Sequence, residues 1–565
     1  MTGPTGGAGP DWRLPVGELF FAPGLDEGLW ALDPMPRAWD RIAPGRIAGL
    51  AASDHAALNR ATERHILRTF RERRFRSAVV IRSVPVVLEQ VTTHGHFLAC
   101  HGKYLLNGAA GTRLRNRFAQ GEGKDDAATA WFEALQAADP VLPVWEGDTD
   151  ELDLVIDARN GFNFYHFVTE SLGQLCFVDH ERFRGRVFVH IKGAQVAPFI
   201  RDWIAALFPR LAARVAFRTG RHAYDRCLSI LNTRHLWFQT GRRAMDDLDG
   251  IAPPTPSWRG RAPDRGSASV LGQNACDEVL LRLRRTAHDR IAGGDWSHLP
   301  RRFWIARRSR RNREMQGEVE LVAELIARGF AVVHFEDLAP LEQVALMARA
   351  EVMISYHGAG FANMAFAGAD THCIEIGNWQ TAMYRWADFM PNAIASGCRY
   401  TSFFADFNTD PPTRDVAGIR FAPLHPVALG AAGRGKLLDH VDAILGEVRI
   451  RDADWLGRMA TALTRTQDEA ALRRLLQAHP EAVAADPDLT VRRAELHLAD
   501  GDTEAGLRLL ERAWKMTGDR PFLMERIVVM HAARGSEEPW LERHRALYPE
   551  RAPILRRKLR QAGMA

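Results

Sequence analysis

The chain has 565 residues, 46% hydrophobic and 25% charged, a composition that excludes collagen-like, disordered and disulfide-framework proteins and suggests three or four domains. Its 74 lysines and arginines against 69 aspartates and glutamates leave a net charge of only +5, a mild balance that suits an anionic substrate or a membrane surface without requiring either. Six scattered cysteines without a CxxC favour a reducing compartment. With no signal peptide and no apolar run of ~18 residues, a cytoplasmic protein lacking a transmembrane segment is expected.

The first 145 residues read as an extension of mixed structure, with a helix over 54–75 and strands over 77–91 interrupted by Pro85. His94, His96, Cys100 and His101 lie close together in THGHFLACH, but zinc wants paired ligands at two separated positions and no second pair follows. Asp148-Thr149-Asp150 has the spacing of a divalent-metal pair, yet it sits in an acidic turn before a strand rather than at the end of one. The first is read as a structural or loop feature and the second as an ordinary surface turn.

A strand over 152–156 leads through a turn to Asn163, a suitable N-cap for the helix FYHFVTESLGQLCFV. Phe164, Val168, Leu172, Leu175 and Cys176 fall on one side of that helix, and Asn163, His166 and Glu170 share another. The stripe is either an exposed face with an i,i+4 contact or an imidazole and a carboxylate at the mouth of a site. Strands over 186–191 and 227–231, a helix over 197–208 and a crossing loop over 262–272 follow.

From residue 301 strands over 303–306, 330–335 and 352–355 alternate with helices over 318–328 and 341–350, which predicts an α/β doubly wound parallel sheet. ARRSRRNRE places Arg307, Arg308, Arg310, Arg311 and Arg313 after the first of these strands, where guanidinium forks match phosphate oxygens. No aromatic interleaving or nucleic-acid module accompanies them, so no nucleic-acid partner is expected. EVMISYHGAGFANMAFAGADTHCIEIG then gives a buried strand, the turn His357-Gly358-Ala359-Gly360, a helix start and a second strand ending at Glu375. Two glycines so close relieve the Cβ restriction on φ. Backbone N–H groups left at the positive end of a helix can bind a diphosphate without a metal.

Three blocks, NFYHFVTE, FWIARRSRRNRE and ISYHGAGFANMAF with CIEI behind it, resemble glycosyltransferase family 61 and come in the same order. The resemblance implies a GT-B-like pair of Rossmann-like domains facing a cleft: an acceptor-side domain over 146–295 and a nucleotide-sugar domain over 296–450. It also implies inverting, metal-independent transfer from a nucleotide-diphosphate sugar to a hydroxyl of a glycan acceptor, with no cofactor. By analogy the product would be a bacterial capsule, exopolysaccharide or lipopolysaccharide glycan, made at the inner face of the inner membrane. Ala367-Gly368-Ala369-Asp370 replaces the family's proline-containing segment. Residues 451–565 lie outside the resemblance and read as tetratricopeptide-like helical repeats, a surface for a protein partner.

On this reading Gly358, Ala359 and Gly360 cradle the diphosphate, and His357, Arg307 and Arg313 donate to its oxygens. Glu375 accepts from a ribose hydroxyl, Asn363 caps the helix or holds the phosphate loop, and Asn163 borders the cleft. Glu170 is the base, with His166 orienting or replacing it. The alternative is a non-catalytic scaffold that binds nucleotide or glycan. A dehydrogenase is disfavoured because the Gly-x-Gly-x-x-Gly helix start is missing.

Overall fold

The computed structural model describes residues 10–34, 39–72, 78–95, 97–138, 140–158, 163–191, 196–234, 274–308, 315–408, 423–448, 450 and 452–564. His96, the turn at 159–161, the loop at 262–272 and Arg310, Arg311 and Arg313 lie outside the described residues. The chain forms two compact units, Met1–Gly430 and Ala431–Ala565.

The first unit is α/β and carries two large sheets. In one, Val215–Arg218, Val187–Ile191, Leu154–Ala158 and Arg221–Asn232 run parallel. Ser83–His94, Phe97–Cys100 and Lys103–Tyr104 continue that sheet antiparallel. The other is parallel through Ala331–Val333, Arg302–Ile305, Val352–Tyr356, His372–Asn378 and Arg399–Phe407. Strands covered on both faces need continuous apolar runs, and every residue of VFVHI and VMISY is buried. One core joins the two sheets, running from Leu154, Val189 and Trp203 to Val344, Met353 and Phe361.

The amino-terminal residues do not stand apart. Ser83–His94 lies in the first large sheet, and Arg46–Ala51 pairs in parallel with Arg399–Phe407 in the second. Nor does Pro85 interrupt a strand. The break falls between Ala78–Ile81 and Ser83–His94, and Pro85 stands opposite Ile230, whose carbonyl accepts from Asn107 Nδ2 at 2.9 Å. Cys100 is buried with its thiol on the carbonyls of Gly28 and Glu89. Among the described residues no three His, Cys, Asp or Glu side chains gather as metal ligands. Asp148 accepts from the Asp150 amide at 2.9 Å, an ordinary exposed turn.

The second unit is helical and begins at 431 rather than 451, because the helix Ala431–Leu445 packs on Glu469–Ala478 within it. Asp468, Asp486 and Asp502 cap Glu469–Ala478, Pro487–Ala499 and Thr503–Thr517 by accepting from first-turn amides. Glu525, fully buried, accepts from Arg551 Nε at 2.6 Å and Lys558 Nζ at 2.8 Å. Among the described residues no helix is long and apolar enough to cross a membrane.

Candidate functional site

The site is built at the carboxyl end of Val352–Tyr356, the strand between Arg302–Ile305 and His372–Asn378, where open parallel sheets bind ligands. There the chain turns at His357 and Gly358 and enters a 3₁₀ helix, Ala359–Phe366. The glycines are not there for φ. Gly358 is extended, with φ 174° and ψ 177°, and Gly360 is absent from the positive-φ glycines. Gly358 makes room for a side chain instead: a Cβ there would lie 1.4 Å from Arg307 Nη2 and displace the guanidinium.

Arg307 fills that space. It donates to the carbonyls of His357 (2.6 Å) and Tyr356 (3.3 Å) and lies over the Tyr356 ring at 4.3 Å. The expected phosphate donor is thus seen fastening the strand end. Glu375 also departs from expectation. It is fully buried, with one oxygen 2.5 Å from His357 Nδ1 and the other accepting from the Tyr400 hydroxyl and from Ser402 Oγ at 3.0 Å. Fully buried, the carboxylate lines neither cleft nor cavity; it holds His357, which does line the cleft. Asn363 caps nothing: it is buried inside the 3₁₀ helix and donates to Gln343 Oε1 at 2.9 Å.

The second half of the site rises from the sequence NFYHFVTE. Asn163 caps as expected, accepting from the His166 amide. The helix behind it is not uniform, however: Phe164–His166 is α, Phe167–Ser171 is π and Leu172–Phe177 is 3₁₀. Side chains compete for its carbonyls, since Thr169 Oγ1 donates to Tyr165 and Gln174 Nε2 to Glu170. Gly173 permits close approach, for a Cβ would stand 2.2 Å from the Val279 carbonyl. His166 Nδ1, at the entry to the π turn, meets Glu170 Oε1 within it at 2.7 Å, each side chain about a fifth exposed. π turns often mark functional positions.

A cleft of about 620 Å³ brings the halves together: Asn163, His166 and Glu170 line it along with His357, Gly358 and Ala359. Gly358 and Ala359 also border an apolar cavity of about 320 Å³ walled by Phe164, Phe199, Trp203 and Phe335, with Arg307 and Gly360 at its rim. The strap His357–Ala359 therefore separates a polar cleft from an aromatic cavity. Of the anticipated residues, Glu375 supports this strap from beneath through His357, Asn363 bonds Gln343 instead, and Arg313 lies outside the described residues.

Sequence reasoning missed one wall of the cleft. Arg385 and Asp388 line it from the segment around the short helix Trp386–Asp388. Phe389 stacks near His357 (4.9 Å) and Phe361 (5.0 Å), and the Tyr165 hydroxyl donates to the Asp388 carbonyl. Burial pushes the Asp388 carboxyl above its usual range, with His357 and Arg385 pulling it back. Burial likewise drives the Tyr165 hydroxyl well above the ordinary phenol value. Nothing in RWADF, with no glycine turn and no repeated spacing, distinguishes these residues from a helix start.

A parallel sheet with a polar cleft at its carboxyl edge defines an α/β protein of the ligand-binding kind. Residues 164–374 match the family model described as Glycosyltransferase 61. That match supports a glycosyltransferase, an enzyme with a sugar donor and an acceptor. No curated protein matches the chain.

Proposed function

We propose that the protein is an inverting, metal-independent hexosyl- or pentosyltransferase of GT-B architecture. It moves a sugar from a nucleotide-diphosphate sugar to a hydroxyl of a glycan acceptor. One observation carries the reading: the couples His166–Glu170 and His357–Glu375 line or support the same cleft. Inversion requires a base on the acceptor side and charge stabilisation on the leaving-group side, and two imidazoles from opposite halves of the fold suit that division.

In the proposed reaction the donor's nucleoside enters the aromatic cavity at the ends of Arg302–Ile305, Ala331–Val333 and Val352–Tyr356. The diphosphate crosses the strap, where His357 Nε2 and the first amides of the 3₁₀ turn take its developing charge. Glu170 holds His166 Nδ1–H, and His166 Nε2 accepts the proton of the attacking hydroxyl; the Glu170 carboxylate stabilises the imidazolium that forms. The oxygen attacks the anomeric carbon as the bond to the diphosphate breaks, inverting its configuration. Arg307 keeps the strap in place. A bacterial surface polysaccharide or lipopolysaccharide as product, peripheral work at the inner face of the inner membrane, and a protein partner on tetratricopeptide-like repeats complete the proposal.

A thermal-shift screen of nucleoside diphosphates and their sugar conjugates, with and without a chelator, tests the donor. At least one nucleoside diphosphate raises the melting temperature, and the shift survives chelation. A shift abolished by chelator overturns metal independence; no shift with any nucleotide overturns the donor assignment. Proton NMR of the product reads the anomeric configuration, and retention overturns inversion.

A further inference from the structure

Besides His166, Glu170 and His357, the cleft is lined by two Arg–Asp pairs. Arg234 Nη2 meets Asp277 Oδ1 at 2.8 Å, and Arg385 Nη1 lies 3.4 Å from Asp388 Oδ2. Their side chains are 22%, 24%, 25% and 35% exposed in that order, so each pair is sheltered yet open to the cleft. None of the four lines the aromatic cavity. The Arg385–Asp388 contact is longer than a good N–H···O bond and gains little by itself.

We propose that these two pairs form the acceptor-sugar subsite, gripping vicinal hydroxyls of a neutral glycan. The inference rests on the glycosyltransferase reading and names how its second substrate is held. A sugar hydroxyl both donates and accepts, whereas arginine only donates and aspartate only accepts. An Arg–Asp pair therefore satisfies two neighbouring hydroxyls in a fixed sense. Half-buried partners make such bonds stronger than at an open surface and make a missing hydroxyl costly.

Position supports the assignment. The Tyr165 hydroxyl fastens the Asp388 carbonyl to the turn that carries His166 and Glu170, so the grip is in register with the proposed base. Asn392 Nδ2 ties the following helix to the carbonyls of Phe361 and Ala362 in the strap's own 3₁₀ helix. Arg385 and Asp388 also fall beyond residues 164–374, the part shared with the family. A wall outside the shared segment suits selection of one acceptor over another.

Saturation-transfer NMR with methyl glycosides of glucose, galactose, mannose and xylose tests this on the full chain. UDP and GDP titrations run in parallel on wild type, Asp388→Asn, Arg385→Gln and Asp277→Asn. At least one glycoside binds wild type and binds each variant about tenfold or more weakly, the loss of one hydrogen bond to a charged group, while nucleotide affinity stays within about twofold. Equal glycoside binding by wild type and all three variants, or nucleotide binding with no glycoside bound at all, overturns the subsite alone. Absence of both nucleotide and glycoside binding overturns the transferase reading beneath it.

Discussion

The two His–Glu couples in the cleft share chemistry but differ in construction. His166–Glu170 is local, an i,i+4 contact inside one distorted helix, each side chain about a fifth exposed. His357–Glu375 is assembled from neighbouring strands, with a carboxylate fully buried and held from behind by Tyr400 and Ser402. The local pair opens on the cleft, where a substrate hydroxyl can reach it. The carboxylate of the second is sealed in a parallel sheet, where leaving one of its donors unsatisfied costs about 1–3 kcal/mol. The first couple is therefore suited to moving a proton and the second to holding a fixed charge.

The sharpest separation comes from matched amides. Glu170→Gln lowers turnover a hundredfold or more, the usual worth of an acid–base group, and leaves nucleotide affinity and urea stability near wild type. Glu375→Gln sets an amide N–H₂ against one of the donors Glu375 now receives, and unfolding in urea shows a loss of about 3 kcal/mol. If Glu170→Gln turns over normally, or if both variants lose stability alike, the proposed division of labour fails.

Glycines on the strap extend the contrast. Gly358→Ala would place a Cβ on Arg307, so the arginine must leave and free the carbonyls of Tyr356 and His357. Calorimetry then reads nucleotide affinity lowered about tenfold, the equivalent of one charge-assisted hydrogen bond. At Gly360 the added carbon would meet Phe335 Cδ2 at 3.3 Å, a contact relieved by a few tenths of an ångström, and affinity changes less than about threefold. Equal effects at the two positions would show that packing of Arg307 is not what Gly358 protects.

Behind the buried couple, Tyr400→Phe removes one donor to Glu375 without changing shape. The carboxylate keeps His357 and Ser402, so urea stability falls by only about 1 kcal/mol. An unchanged stability would mean that the Tyr400 hydroxyl does not contribute to holding the couple.

Periodic patterns were legible in the sequence; particular contacts were not. Alternating strand and helix after residue 301 gave the second large sheet closely, since VMISY and HCIEI are short, mostly apolar stretches between turns, as covered strands are. Asn163 as cap and His166 beside Glu170 followed from helical spacing. The π turn between them did not, because it depends on side-chain donors competing for carbonyls. Gly358 was recognised for the wrong reason. Glycine in a turn suggests positive φ, whereas here it makes room for an arginine fifty-one residues earlier in the chain. The Glu375 carboxylate looked free at a strand end, and only the register of Arg399–Phe407 reveals Tyr400 and Ser402 beside it. Asp388 left no sequence signal, since its place in the cleft arises wholly from tertiary packing.

That residue gives the smallest effect and the one with opposite sign. Burial raises the Asp388 carboxyl above its unfolded value, so over the interval between the two the folded state holds more protons. Its contribution to stability is then greatest when protonated and is lost as pH rises through the folded value. At neutral pH the charge is a net cost, moderated by Arg385 and by the third of the side chain that water reaches. Asp388→Asn removes the charge and keeps the shape. Its melting temperature exceeds wild type at pH 7 by the equivalent of less than about 1 kcal/mol, and the gap closes as pH falls into the ordinary carboxyl range. The substitution that weakens the glycoside grip thus makes the protein slightly more stable, the trade expected of a charge kept for a ligand. A variant less stable than wild type at pH 7 would show instead that the Arg385 pair outweighs burial, and that Asp388 is retained for the fold.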